Sequence, residues 1–138
     1  MLPVLAVSVL VRRNGAVLLV RRGRPPLANL WALPGGKVLR GETLAAAAAR
    51  EVFEETSVTV GGLSRLDVVE IIDRSSDGVV SSHYVIVVFF ATAEAHSPTA
   101  GDDAAEARWV PVDELPGLAL APDTARILGK RADEAVRT

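Results

Sequence analysis

Three glutamates crowd one face of a single predicted helix in this chain. If residues 43–56 are helical, then at about 100° per residue Glu54 lies about 60° to one side of Glu51, and Glu55 lies about 40° to the other. All three lie in the last two turns, where the helix dipole is negative and disfavours anions. Like charges three or four residues apart each cost roughly a few tenths of a kcal/mol. The pattern predicts that a divalent cation binds on this face, because a bound positive charge would relieve the repulsion.

The spacing of fixed residues around these glutamates resembles the signature of the Nudix hydrolases. That signature is G-x5-E-x7-R-E-U-x-E-E-x-G-U, where U is a bulky aliphatic residue, and residues 36–58 match it except at the last glycine, which is Ser57 here. With common residues used at roughly 7% each, six fixed positions coincide by chance about once in 10⁷ starting points. Weaker similarity covers roughly the whole chain, through residues 18–22, 31–36 and 108–111.

Length and composition restrict the classes of protein to consider. With 138 residues and no cysteine, the chain is long enough for one domain with a buried core, and disulfide or thiolate-metal scaffolds are excluded. A net charge of −2 offers no broad basic surface for a nucleic-acid polymer. The apolar run 1–11 is too short to span a membrane. Neither nucleic acid nor membrane is therefore an expected partner, and the expected location is the cytoplasm.

The hydrophobic pattern predicts a mixed sheet between helices, which is an α/β fold. Residues 4–13 and 16–21 should form an antiparallel pair of strands joined at Asn14-Gly15. Residues 63–73 and 79–93 should form two long strands, and the second is so continuously apolar that it should be central in the sheet.

Two helices are predicted, one on each side of these long strands in the sequence. The first covers residues 43–56, with Thr43 as its N-cap, and the second covers residues 123–137, with Ile127, Leu128 and Ala132 on its inner face.

The other segments are predicted as a turn at Pro34-Gly35-Gly36, a polar loop at residues 94–107 and a short strand at residues 108–111. The glycines of the turn should bring backbone close to a ligand. The resemblance implies that all these elements form the three-layer α/β/α Nudix sandwich, as a single domain over residues 1–138 with the box at residues 36–58.

The glutamate face supplies the hard oxygen ligands that Mg²⁺ or Mn²⁺ prefers. The resemblance implies that Glu51, Glu54 and Glu55 coordinate the metal and help to activate water. It also implies that the backbone carbonyl of Gly36 contributes, and Glu55 is the preferred general base. The alternative is an ordinary exposed helix in which Arg50 and Glu54 form an i,i+4 ion pair.

Arg50 is included among the candidate catalytic residues with an orienting role. Its rigid guanidinium can grip a carboxylate with two hydrogen bonds while its other donors brace the loop. Glu42 either ties that loop to the helix or hydrogen-bonds a water held by the metal. Ser57 stands where the family glycine caps the helix in a left-handed conformation, and a serine there costs roughly 1 kcal/mol.

Substrate contacts are predicted outside the box. Arg21 and Arg22 are candidates for binding a phosphate, although strand alternation lets only one of them face the site; solvated strand-end charges are the alternative. Glu106 is the preferred acid of the late loop, as an extra ligand or base, in competition with Asp102 and Asp103. A merely solvated acidic loop is the alternative for all three.

The function that the resemblance implies is metal-dependent hydrolysis of the pyrophosphate linkage in a nucleoside diphosphate joined to another moiety. ADP-ribose or an NDP-sugar is the first expectation, although Asp73 and Arg74 stand where one ADP-ribose branch of the family has a proline. The alternatives are a MutT-like (d)NTP pyrophosphohydrolase and a nucleotide-sensing module without turnover. The resemblance is also compatible with a homodimer.

Overall fold

The computed structural model describes residues 1–25, 27–94 and 96–130. The elements in chain order are β1 (Val4–Arg13), β2 (Ala16–Arg22), β3 (Trp31–Ala32), β4 (Gly35–Lys37), α1 (Leu44–Thr56), β5 (Val60–Arg74), β6 (Val80–Ala93), β7 (Ala104–Pro111), a 3₁₀ helix (Val112–Gly117) and α2 (Pro122–Lys130). None of the helices in this described part is long and apolar enough to cross a bilayer.

The strands form one seven-stranded mixed sheet. Its main order is β3-β2-β1-β6-β5, with β4 paired to β1 and β7 paired to β2. The pairing of β1 with β6 is parallel, and the other pairings are antiparallel. The predicted α/β class with a mixed sheet is confirmed, and the apolar strand β6 does lie inside the sheet between β1 and β5.

Each face of the sheet carries its own apolar cluster, because side chains alternate between faces along a strand. On the first face, Ala47, Ala48 and Val52 of α1 pack on residues of β1 and β6 such as Val9 and Phe89. On the second face, Ile127 and Leu128 of α2 join a cluster that contains Leu10, Leu19 and Val88. The sheet therefore lies between two helices in three layers, which confirms the predicted sandwich.

Local signals in the sequence are reproduced by the backbone. Asn14 and Gly15 have φ values of 49° and 75°, as a type I′ hairpin turn requires. Thr43 caps α1, and its Oγ1 accepts a hydrogen bond of 3.1 Å from the Ala46 amide. The alanine run leaves Ala47 and Ala48 fully buried, so that α1 approaches the sheet closely.

The predicted turn at Pro34-Gly35-Gly36 is wrong in part, since Gly35–Lys37 is the short strand β4, antiparallel to β1. A side chain at Gly35 would overlap the Val7 carbonyl oxygen. Gly35 therefore allows the backbones of β4 and β1 to approach closely within the sheet.

The predicted loop at residues 94–107 is also wrong at its end. Strand β7 already begins at Ala104, and it pairs with β2 with one shift of register between Glu106 and Ala104, so Glu106 belongs to a strand. Pairing with a neighbouring strand outweighs the weak β-propensity of the alanines.

The buried side chains of Ile127 and Leu128 agree with the predicted inner face of α2, whereas Ala132 and the rest of residues 131–137 lie outside the described residues.

Candidate active site

Helix α1 ends with the left-handed cap that the family glycine would form. Ser57 has φ 63° and ψ 11°, and its amide donates a 2.8 Å hydrogen bond to the Phe53 carbonyl. A serine in this conformation is strained by roughly 1 kcal/mol relative to glycine. The cap is nevertheless formed, so replacing the glycine leaves the end of the helix intact.

Arg50 connects the loop before α1 to the glutamates on the helix. Its Nε and Nη2 donate to the two carboxylate oxygens of Glu42 at 2.6 and 2.9 Å. Its Nη1 donates to Glu54 at 3.0 Å and to Glu51 at 3.2 Å, and Nη2 also reaches the Lys37 carbonyl at 3.0 Å. These are the contacts expected of an orienting residue, because one planar guanidinium fixes three carboxylates and the loop.

Of the carboxylates that contact Arg50, Glu42 accepts the most and the shortest hydrogen bonds. The hydrogen bonds from Arg50, supported by one from the Leu39 amide at 2.9 Å, lower the pKa of Glu42 to about 2. Glu42 is therefore ionised throughout the physiological range, and it ties the loop to the helix.

The carboxylate of Glu51 lies against strand β4. A side chain on Gly36 would overlap the Glu51 carboxylate, so glycine is needed at this point of the strand. The Glu51 side chain is 13% exposed, and burial raises its pKa, while the neighbouring Arg50 opposes that rise. The carboxylate and the Gly36 backbone are thus brought side by side.

Glu55 points to the same strand one residue earlier. Its Oε1 accepts a 2.8 Å hydrogen bond from the Gly35 amide. Burial raises the pKa of Glu55 to about 8, and the charges of Glu51 and Asp102 add to the rise. The Gly35 hydrogen bond and the charge of Arg22 act in the opposite direction.

One side of α1 presents oxygen atoms of the kind that a hard divalent cation prefers. They belong to the carboxylates of Glu51, Glu54 and Glu55 and to the backbone of Gly36. Among residues 1–25, 27–94 and 96–130, no three acidic, histidine or cysteine side chains are gathered tightly enough to hold an ion. The contacts explain this, because Glu51 and Glu54 are turned to Arg50 while Glu55 is turned to Gly35.

The loop before β7 is anchored on the end of α1. The amides of Thr99 and Gly101 donate to the carbonyls of Thr56 and Glu55 at 2.9 and 3.0 Å, which satisfies groups that a helix end leaves without partners. A side chain on Gly101 would overlap the Glu54 carbonyl oxygen, so this approach requires glycine.

Asp102 follows this anchor in a left-handed conformation, with φ 50°. It is close enough to Glu51 and Glu55 to raise the pKa of both carboxyls. Of the three acids expected to compete in the late loop, Asp102 is therefore the one whose charge acts on both Glu51 and Glu55. No local signal in the sequence identifies Asp102, because its position depends on the contact of Gly101 with the end of α1.

Glu106 and Arg21 pair with each other on adjacent strands. Arg21 Nε lies 3.3 Å from Glu106 Oε1, and Arg21 Nη1 donates to the Asn29 side chain at 3.0 Å. Neither residue lines the cavity beside Glu55. Of the two arginines at the end of β2, Arg22 is the one on the cavity side, in agreement with the expected alternation.

The cavity beside Glu55 has a volume of about 300 Å³. Its lining includes Arg22, Arg24, Asp103 and the backbone of Gly35, together with apolar side chains such as Leu33. A larger cavity of about 520 Å³ lies beyond the end of α1, but it is lined by neither arginine nor box glutamate. The smaller cavity is consequently the candidate substrate site.

The sequence and the fold are similar to those of known proteins. The model of the NUDIX domain matches residues 2–130. The chain is 36% identical to the ADP-ribose pyrophosphatase of Methanocaldococcus jannaschii, over 86% of this chain and 68% of that protein. It is 30% identical to the oxidized purine nucleoside triphosphate hydrolase of Mus musculus, over 83% of this chain and 70% of that protein. The crystal structure of a MutT NUDIX hydrolase from Burkholderia pseudomallei matches with a TM-score of 0.82 and 30% identity, over 95% of this chain and 99% of that one.

The chain therefore belongs to the Nudix family. Within it, the chain is a pyrophosphohydrolase similar to proteins named MutT and ADP-ribose pyrophosphatase. Other curated relatives are matched over 60% and 46% of their own lengths, so the chain spans about half to three fifths of them.

Proposed function

We propose that the chain is a divalent-metal-dependent hydrolase that cleaves the pyrophosphate linkage of a nucleoside diphosphate joined to another moiety. The main observation behind this proposal is that Glu55, Arg22 and Arg24 line the same cavity. Such a cavity offers two cationic groups to a phosphate chain, and Glu55 becomes a proton acceptor once it is ionised, which a bound cation would favour.

Glu51, Glu54 and Glu55, with the backbone carbonyl of Gly36, would hold Mg²⁺ or Mn²⁺. A bound ion would supply charge neutralisation for the phosphates and would make a water molecule more acidic. The placement of Asp102 favours it over Glu106 as the late-loop acid of this site. The raised pKa values of Glu51 and Glu55 support the assignment, because crowded and partly buried carboxylates gain from a cation.

In the reaction that we propose, a water oxygen attacks one phosphorus atom of the anhydride. The bond between that phosphorus and the bridging oxygen breaks, and the bridging oxygen leaves with the other phosphate. Glu55 accepts the proton of the attacking water, because it is the box carboxylate on the cavity wall. Arg22 binds the phosphate chain, and Arg50 acts as a positioning residue through its contacts with Glu51 and Glu54.

ADP-ribose or an NDP-sugar is the substrate class that we favour, and the 36% identical archaeal ADP-ribose pyrophosphatase supports it. A MutT-like (d)NTP pyrophosphohydrolase is the second candidate, supported by the mouse triphosphate hydrolase. A nucleotide substrate also agrees with the expected cytoplasmic location. Sedimentation velocity measures whether the chain is the homodimer that the resemblance allows.

A hydrolysis screen tests the proposal. The purified chain is incubated with Mg²⁺ or Mn²⁺ and with ADP-ribose, NDP-sugars, dinucleoside polyphosphates or dNTPs, and the products are separated by ion-exchange chromatography. Release of AMP and ribose 5-phosphate from ADP-ribose supports the first class, and release of pyrophosphate from dNTPs supports the second. Binding of nucleotides without any turnover would refute the hydrolase and support the nucleotide-sensing alternative.

A further inference from the structure

An ion pair spans two of the loops that line the cavity beside Glu55. Arg24 Nε lies 3.2 Å from Asp103 Oδ1, and the two side chains are 75% and 70% exposed. Arg24 belongs to the loop after β2, and Asp103 belongs to the loop anchored on α1. Both residues line the cavity, so the pair lies at the mouth through which a phosphate chain would extend.

Backbone contacts hold these loops without help from the Asp103 carboxylate. The Gly23 amide donates to the Asp103 carbonyl at 3.0 Å, and Gly101 is bonded to the end of α1. An ion pair as exposed as this one contributes little to folding. The Asp103 side chain can therefore be changed while the geometry of the mouth is preserved.

We propose that Asp103 is a specificity-determining residue. Its carboxylate pairs with Arg24 and repels additional phosphate charge, so the site prefers diphosphate-linked substrates to nucleoside triphosphates. This inference rests on the proposed function. Arg24 can bind a phosphate with two parallel hydrogen bonds, but its guanidinium must first break its ion pair with the Asp103 carboxylate.

The charge of the substrate sets the size of the effect. Near neutral pH, ADP-ribose carries about two negative charges and a nucleoside triphosphate about four. At a separation of about 7 Å in a water-like dielectric, each further charge opposite Asp103 weakens binding about threefold. At about 0.1 M ionic strength, where the Debye length is about 10 Å, salt screening reduces the discrimination expected for two further charges to about threefold.

The variant Asp103→Asn tests the proposal by removing the charge and keeping the volume. Relative to ADP-ribose, kcat/KM for dATP at about 0.1 M ionic strength should rise about threefold, through KM and not kcat, and the change should shrink in about 0.5 M salt. Glu114→Gln is the control, because it removes one carboxylate from another exposed ion pair, Arg108–Glu114 at 3.0 Å, whose residues do not line the cavity. An unchanged substrate ratio in Asp103→Asn, or the same shift in Glu114→Gln, would overturn the proposal.

A second set of variants tests the part played by Arg24. In an Arg24→Gln background, Asp103→Asn should shift the substrate ratio less, because no guanidinium remains to be released. An equal shift in both backgrounds would contradict the exchange between Asp103 and phosphate.

Binding measurements separate this inference from the proposed function. Titration calorimetry with α,β-methylene-ADP-ribose and α,β-methylene-ATP, whose methylene link resists cleavage, gives the ratio of Kd values without turnover. If the wild-type chain hydrolyses nothing but Asp103→Asn still shifts this ratio toward the triphosphate analogue, the proposed function fails and the role of Asp103 stands. If the chain is active and the ratio does not move, the role of Asp103 fails alone.

Discussion

Replacement of Glu55 by glutamine should separate the stability of the metal-free chain from its activity. The side-chain carbonyl of the introduced glutamine can still accept the 2.8 Å hydrogen bond from the Gly35 amide, so the local geometry is kept. The change removes a charge that burial and the neighbouring Glu51 and Asp102 disfavour. We therefore expect a more stable protein, with kcat lowered by about 10²-fold or more, as expected for loss of a general base.

The pKa of Glu55 gives the size and sign of the stability change. The group titrates at about 8 in the folded chain against 4.5 in the unfolded chain, so the folded state holds its proton more tightly. Binding of this proton adds to the free energy of unfolding. That contribution is complete below pH 4.5, decreases as the pH rises and is lost above about pH 8. Glutamine does not titrate, so its advantage over glutamate grows by about 1.4 kcal/mol per pH unit within that window. Between pH 5 and pH 7 the advantage should increase by at most about 3 kcal/mol.

Urea unfolding in EDTA at these two pH values measures the difference. Glu54→Gln is the control, because the Glu54 side chain is 42% exposed and paired with Arg50, so no comparable gain is expected. A Glu55→Gln advantage that is absent at pH 7, or equal at both pH values, would refute the reasoning. Near-normal kcat in this variant would mean that another group accepts the proton, and Asp102 and Glu54 would be tested next.

Three further predictions follow from the same contacts. Chelation should abolish turnover, and Mg²⁺ at about ten times its Kd should stabilise the fold by about 1.4 kcal/mol, which thermal melts with and without the ion would detect. Ser57→Gly should raise the melting temperature slightly and leave the rates unchanged, because it relieves a left-handed serine and touches no ligand; a loss of activity would argue against that. Gly101→Ala should lower stability by about 1–3 kcal/mol and reduce kcat, since it forces the late loop off α1, whereas Gly61→Ala, with open space around it, should be tolerated in both assays.

Elements that depend on neighbours in the sequence were predictable. The hairpin at Asn14-Gly15 requires two residues with positive φ, and both are residues that tolerate it. The start of α1 follows from Thr43, whose hydroxyl accepts from the amide three residues later. The end of α1 follows from the spacing of the box, even though Ser57 replaces the usual glycine.

Features that depend on distant partners were not predictable. The Gly35-Gly36 pair is typical of a turn, and only the closeness of Val7 and Glu51 shows that it belongs to a strand. The position of Asp102 depends on the contact between Gly101 and Glu54, which are 47 residues apart in the numbering. Among the late acids, the pairing of β7 with β2 directs Glu106 to Arg21.

The contacts of Arg50 resolve the conflict that the sequence presents in α1. Three carboxylates near a negative helix end should destabilise the helix, yet two of them, Glu51 and Glu54, share the Arg50 guanidinium, and Glu42 holds that guanidinium in place. Glu55 lies outside this network, and its tendency to keep a proton removes the third charge near neutral pH. The metal-free helix is thus stabilised by an internal cation and a proton. A divalent ion that gathers the same carboxylates must compete with both, so the affinity of the site for metal should increase with pH as Glu55 loses its proton.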